Sequence, residues 1–217
     1  MSDGQRTATG LAALDAVTID GYGTLLTIHD PIGHLDRELR ARGVSLPRGA
    51  IERGFSAEAD YYVQAKLAAK DADGLAALRA DCARVFLEAA GADLDPVEFA
   101  AALVYEFEAL PGVPDALARL TARGLALAVV ADWDYSLHEH LKNHGLGHYF
   151  ATVVTSAEVG AAKPSPAPFL AALDRLGVEP ARALHVGDHA KDEEGAAAAG
   201  MHFAPAPLAE AVQQWLK

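Results

Sequence analysis

The chain has a single cysteine, Cys82, in 217 residues, so neither an intrachain disulfide nor a cysteine-based zinc site can form. Cys82 lies in Ala80-Asp81-Cys82-Ala83-Arg84-Val85-Phe86, a pattern that predicts a small buried residue on a helix rather than a nucleophile. Basic charge is scarce too: 18 Lys and Arg against 30 Asp and Glu leave a net charge of −12. No basic run offsets this locally, so a phosphate backbone is repelled and nucleic acid is excluded as a partner. Long hydrophobic runs are missing as well, because charges or prolines interrupt every apolar stretch before the roughly 18 residues that a membrane span needs. Residues 1–6, Met1-Ser2-Asp3-Gly4-Gln5-Arg6, lack the apolar centre of a secretory leader. A cytoplasmic protein with no membrane partner is therefore expected. No internal repeat, low-complexity linker or coiled-coil heptad breaks the chain, whose length suits one substantial core and a smaller satellite.

What is present is an alternation. Apolar strands ending in polar residues are predicted at 16–20, 125–131, 152–155 and 183–188, with a weaker fifth at 201–204. Helical segments lie between them: Pro114-Asp115 opens one that closes at Gly124, Tyr135 begins one that ends before Gly145, and Ser165-Pro166 caps one that stops at Gly177. Strands alternating with helices of this length imply an α/β fold with a doubly wound parallel sheet. Ligands of such sheets bind beyond the carboxyl ends of the strands. Asp20, Ala131, Asp132 and Asp188 all fall at that edge.

Between Thr27 and Leu110 the strand signal gives way to alanine-rich amphipathic segments at about 34–42, 48–70, 74–90 and 96–109, which read as helices by their period. This insertion closes at Leu110-Pro111-Gly112-Val113-Pro114, a stiff re-entry turn. Within it Tyr61 and Tyr62 are candidates to face a ligand, although packing of the helices on one another is the simpler role.

Four short segments carry the chemistry. In Ala16-Val17-Thr18-Ile19-Asp20-Gly21-Tyr22-Gly23-Thr24-Leu25, a carboxylate at the mouth of a sheet can attack phosphorus or carbon and form a covalent intermediate. Gly21 and Gly23 allow a sharp turn and close approach to a ligand, and Thr24 is expected to hydrogen-bond back to the loop and orient the carboxylate. The others are Val129-Val130-Ala131-Asp132, Ala162-Lys163-Pro164, and Val186-Gly187-Asp188 with Asp192 after it. In this order the four resemble the haloacid dehalogenase superfamily of aspartate-nucleophile hydrolases, and the resemblance runs from Asp20 to Asp192.

That resemblance implies a Rossmann-like core at 1–28 and 110–217 with a small all-helical cap domain at 29–109. It makes Asp20 the nucleophile and Lys163 the cation that neutralises it. Gly21, Tyr22, Thr24, Ala131 and Asp132 fall at the substrate-binding positions. Magnesium is the implied cofactor, held by Asp20, the Tyr22 carbonyl and Asp188, with Asp192 as ligand or support. Physical chemistry agrees, because Asp20, Asp132, Asp188 and Asp192 would crowd one edge with Lys163 as the only evident cation, and a hard ion relieves such crowding. The implied substrate is a small phosphomonoester.

Two motifs depart from the phosphatase pattern. Phosphatases of the family place a second aspartate two residues after the nucleophile as general acid and base, where this chain has Tyr22. They also end the second motif strand in a hydroxyl residue, where Ala131 and Asp132 stand, and an ionised Asp132 would repel phosphate. Tyr22 instead matches the dehalogenase branch, whose members typically lack the Gly187-Asp188 pair seen here and use the hydroxyl that Ala131 lacks. Phosphoryl transfer is favoured, with dehalogenation and metal or anion binding without turnover as the alternatives. His189 and His29 are candidate replacements for the missing acid. His138 and His140, two apart on a helix, do not share a face.

Overall fold

The computed structural model of the protein describes residues 14–215; residues 1–6 lie outside them, as do the ends of the 1–28 and 110–217 segments. The chain opens with β1 (Ala16–Ile19), β2 (Leu26–Ile28), α1 (Pro31–Ala41), α2 (Arg48–Ala65), α3 (Ala72–Ala90) and α4 (Pro96–Phe99). It continues with β3 (Phe107–Ala109), α5 (Val113–Ala122), β4 (Ala126–Ala131), α6 (Leu137–Asn143), β5 (Thr152–Thr155) and α7 (Ser156–Val159). The last elements are α8 (Ala167–Leu176), β6 (Ala183–Gly187), α9 (Ala190–Ala198), β7 (His202–Pro205) and α10 (Leu208–Trp215).

Strands β5, β4, β1, β6 and β7 form one sheet in that spatial order, and every neighbouring pair is parallel. The chain winds outward from β1 through β4 to β5, then crosses back to β6 on the other side of β1. The reversal leaves β1 at the centre of a crevice. Both faces are covered, as parallel strands require. Val17 and Ile19 join Leu117, Leu127, Val129 and Val212 in one cluster, whereas Ala16 joins Ala128, Val130, Phe169 and Ala172 in the other. Alternation along β1 divides these two layers.

Chain segments 31–103 build a third apolar cluster around Leu35, Leu39, Ile51, Cys82, Phe86 and Phe99. Helix α2 approaches α3 closely because Gly54 carries no Cβ, which would meet the Phe86 ring at 2.8 Å. Phe86 stacks on Phe99 with centroids 5.4 Å apart, and burying each ring is worth roughly 1.5–3 kcal/mol. Cys82 is a buried helical thiol as expected, and burial beside Glu58 raises its pKa. No helix among the described residues is long and apolar enough to cross a membrane.

The expected all-helical reading of 96–109 is corrected. Helix α4 stops at Phe99, a 3-10 turn covers Ala100–Leu103, and Phe107–Ala109 is a strand. It pairs antiparallel with β2, Leu26 opposite Ala109 and Ile28 opposite Phe107. Three residues are too few to show a period of two, and the partner that makes them a strand lies on the far side of the insertion in sequence. Entry to and exit from the insertion thus run along one two-stranded ribbon.

Glu58 on α2 is buried, and burial raises its pKa even though Tyr105 and Cys82 hydrogen-bond to it. The folded chain therefore keeps this proton to higher pH than the unfolded chain. Stability falls as pH rises through the unfolded carboxylate range and stops falling above the folded pKa. Glutamine is neutral like the protonated acid and keeps its carbonyl acceptor, with an NH2 group in place of the O–H. Thermal unfolding of Glu58→Gln should show a melting temperature a few degrees above wild type at pH 8 and the same as wild type at pH 4.

Candidate active site

Asp20 follows the last residue of β1 and is 6% exposed. Its N–H donates to the Val186 carbonyl at 2.9 Å, which anchors the backbone to β6. The next residues turn sharply: the N–H groups of Leu25 and Leu26 both donate to the Gly21 carbonyl at 2.9 Å, and the Gly23 N–H donates to Leu26 at 2.8 Å. Gly23 has φ of 82°, and a Cβ there would collide with the Asp188 carboxylate. Gly21 lies flat on Ala131 and Trp133 for the same kind of reason. These two glycines let the loop press the ends of β4 and β6 toward Asp20.

Lys163 follows α7 in a proline-bounded loop, with its side chain fully buried. Its Nζ donates to Asp20 Oδ1 and to Asp192 Oδ1, and to the Val130 carbonyl at 3.2 Å. Burial opposes the charge, but the two carboxylates outweigh it and raise the pKa of Lys163. Burial pushes Asp20 up to about 6, against the pull of Lys163 and with Asp192 and Asp188 adding to the rise.

Asp192 sits in the first turn of α9. Its Oδ1 also accepts from His185 Nε2 at 3.3 Å, and its Oδ2 from the His189 N–H at 3.0 Å, the latter closing a capping box. Burial would raise its pKa, but the His185 hydrogen bond and the Lys163 charge hold it well below the usual carboxylate range. His185 is buried beside Thr18, whose Oγ1 lies 2.8 Å from its Nδ1, and burial brings its pKa down to about 4. A neutral ring with its proton on Nε2 satisfies both contacts.

Carboxylate oxygens of Asp20, Asp188 and Asp192 lie within 4.8 Å of one another, and Lys163 touches two of the three. Negative charge therefore exceeds positive at this point. Tyr22 is 52% exposed at the rim. The hydrogen bond expected from Thr24 to its own loop does not form, since Oγ1 is buried with no partner among the described residues. The loop is closed by backbone groups instead, leaving that hydroxyl nothing to bind.

Asp132 is not the uncompensated charge that the sequence suggested. Its Oδ1 accepts from the Lys163 N–H at 2.9 Å, its Oδ2 from Lys191 Nζ at 2.9 Å, and Lys66 Nζ stands 4.0 Å from Oδ2. The expectation that Lys163 is the only cation is thus corrected. Lys191 comes from α9, and Lys66 from the 3-10 turn after α2. The insertion meets the core here through two further bonds, from Tyr62 OH to Asp134 Oδ2 at 3.0 Å and from the Tyr135 N–H to the Ala69 carbonyl at 3.0 Å. Tyr61 packs among the insertion helices, whereas Tyr62 bridges to the core.

Thr18 and His185 carried a readable signal, a polar residue in each of two buried apolar strands, and they are register partners. Lys66 and Lys191 carried none. The histidine candidates have other contacts: His189 caps α9 by accepting from the Lys191 N–H at 3.3 Å, and His29 pairs with Glu108 at 3.3 Å on the ribbon. His138 meets Glu158, and His140 packs on Phe107 and Trp133.

A family model described as haloacid dehalogenase-like hydrolase matches residues 14–200. A phosphoserine phosphatase of Thermus thermophilus is 42% identical over 119 residues, covering 52% of this chain and 48% of that protein. The alignments to the first three curated relatives span 39%, 45% and 48% of those proteins' own lengths. Among solved structures, a phosphatase from Thermococcus onnurineus has a TM-score of 0.58 at 28% identity, covering 88% of this chain and 85% of its own. The L-2-haloacid dehalogenase of Xanthobacter autotrophicus has a TM-score of 0.64 at 25% identity, covering 88% of this chain and 77% of its own.

Removing the ammonium of Lys163 leaves Asp20 and Asp192 buried and unpaired. Lys163→Met should lose about 3–5 kcal/mol of folding stability in urea titrations without divalent metal. Adding Asp20→Asn to it should recover part of that loss, because one of the two stranded charges is gone.

Proposed function

The chain belongs to the haloacid dehalogenase-like hydrolase family, and on that premise we propose that this hydrolase cleaves small phosphomonoesters, with Asp20 as nucleophile and magnesium as cofactor. The observation that carries this reading is the cluster of Asp20, Asp188 and Asp192 around one ammonium, since carboxylates in excess of cations suit a hard divalent ion. The close seat of Asp188 against Gly23 fits the same purpose. Asp20, Asp188 and the Tyr22 carbonyl would hold the ion, with Asp192 beside them. When bound, it would offset the negative charge of the phosphoryl oxygens and of Asp20.

The chain's own groups account for the rest. An Asp20 oxygen attacks phosphorus, the new O–P bond forms as the ester O–P bond breaks, and water then hydrolyses the acyl phosphate. Lys163 holds the carboxylate in place and balances charge in the transition state. Gly21, Thr24, Ala131 and Asp132 border the approach, and the Lys191 pairing of Asp132 reduces the repulsion that its charge would exert on phosphate. Tyr22 occupies the position of the usual acid, so the leaving oxygen takes its proton from solvent. Esters with acidic leaving groups should react best. Residues 29–109 serve as the cap, attached through the β2–β3 ribbon, with 1–28 and 110–217 as the core.

Dehalogenation is the second reading. Tyr22 favours it, as does the likeness to the Xanthobacter autotrophicus enzyme. Asp188 weighs against it, because attack on carbon has no need of that additional carboxylate at the site.

Phosphate release should be measured from p-nitrophenyl phosphate and a set of alkyl phosphates, with magnesium and with EDTA. The expected result is turnover that requires metal and falls by more than about a thousandfold in Asp20→Asn. Chloride release from 2-chloropropionate without metal, and no phosphate release above the mutant, would establish dehalogenation instead. Magnesium binding with neither product would leave a binding protein.

A further inference from the structure

Lysine side chains at protein surfaces lay their stems along apolar neighbours and carry the ammonium out to water. Lys66 is more enclosed than that. It is 4% exposed, and its Nζ has no hydrogen-bond acceptor within reach among the described residues. Its contacts are Asp132 Oδ2 at 4.0 Å and the face of the Tyr62 ring, 5.9 Å from the centroid. The ammonium is thus enclosed but not sealed off from solvent, and its N–H groups are open to an acceptor that enters from that side.

Asp132 is not that acceptor, because 4.0 Å is beyond hydrogen-bond reach and its two oxygens are held by the Lys163 N–H and the Lys191 ammonium at 2.9 Å each. Nor is Lys66 loosely placed. Tyr62, one helical turn before it, is bonded to Asp134, and Ala69, three residues after it, is bonded to Tyr135. These two attachments to the core fix the short segment that carries Lys66 over the end of β4. From there it lies within electrostatic reach of Asp20, Lys163 and Lys191.

The geometry points to Lys66, with Lys191, as a subsite for a carboxylate carried by the substrate, separate from the point where Asp20 attacks. The inference rests on the phosphomonoester reading and narrows it to esters whose organic part bears a carboxylate. Two ammonium groups facing one Asp132 carboxylate leave one positive charge, which matches a singly charged carboxylate better than a second, doubly charged phosphate. Lys163 is spoken for by Asp20 and Asp192 and contributes nothing here. Lys66 comes from the insertion and the reacting groups from the core, so only the closed arrangement assembles both sites.

Two matched pairs of esters test this: 3-phosphoglycerate against glycerol 1-phosphate, and 2-phosphoglycolate against 2-hydroxyethyl phosphate. Each pair exchanges a carboxylate for a hydroxymethyl group. Wild type should prefer the acid by about ten- to a hundredfold in kcat/KM, the size of one desolvated charge-assisted contact. Lys66→Met should abolish that preference, chiefly through KM for the acids, while changing kcat/KM for the neutral esters far less; Lys66→Arg should retain most of it. Equal losses on both members of a pair would overturn the inference and make Lys66 a latch between insertion and core, and an unchanged ratio would overturn it outright. Calorimetric titration of the same compounds into wild type and Lys66→Met separates this from the phosphatase reading. Acid-selective binding that Lys66→Met removes supports the subsite even if no ester is hydrolysed, and no selectivity in wild type rejects it.

Discussion

The Nζ of Lys163 touches Asp20 at the end of β1, Asp192 in the first turn of α9 and the carbonyl of Val130 on β4, so one buried ammonium ties three elements to the loop that bears it. Each partner would be costly without the others. Two carboxylates this close raise each other's pKa, and a lone ammonium in the same place would lose its charge. Together they form a set whose members hold one another ionised, with Asp20 the least firmly held because burial works hardest against it.

The sheet explains why these groups meet. Strand β1 lies between β4 and β6 at the point where the winding reverses, so the chain leaving each of the three strands emerges at one edge. Gly21 and Gly23 then remove the side chains that would keep those ends apart. Behind Asp192, the Thr18–His185 pair extends the polar network into the sheet, each member satisfying the next. The insertion reaches the same edge, since Tyr62, Lys66 and Ala69 each meet the core within a few residues of Asp132. Whatever moves the insertion also moves the ammonium of Lys66 relative to Asp20.

Much of this was legible in the chain itself. The five strands show as short apolar runs ending in polar residues, and their edges moved by only a residue or so, as when 183–188 became Ala183–Gly187. Helix α8 begins after Ser165-Pro166 and ends at Gly177, whose φ of 66° favours a residue without a side chain. The ribbon strand Phe107–Ala109 reads as helix in sequence because its partner, Leu26–Ile28, is distant in the chain and neither piece is long enough to display a period. Thr24 is a residue type that often hydrogen-bonds to its own loop, whereas here the packed loop satisfies its backbone without it.

Sequence alone determined which residues end the strands, because apolar runs broken by Asp20, Asp132 and Asp188 carry that information locally. It also determined the order of strands and helices, and hence the edge where a site could form. Tertiary structure decided the charge balance of the site. Lys66 and Lys191 reach Asp132 across 66 and 59 positions of chain, and nothing local marks either lysine, since which charges become neighbours depends on how the insertion and α9 come to rest against the ends of the sheet.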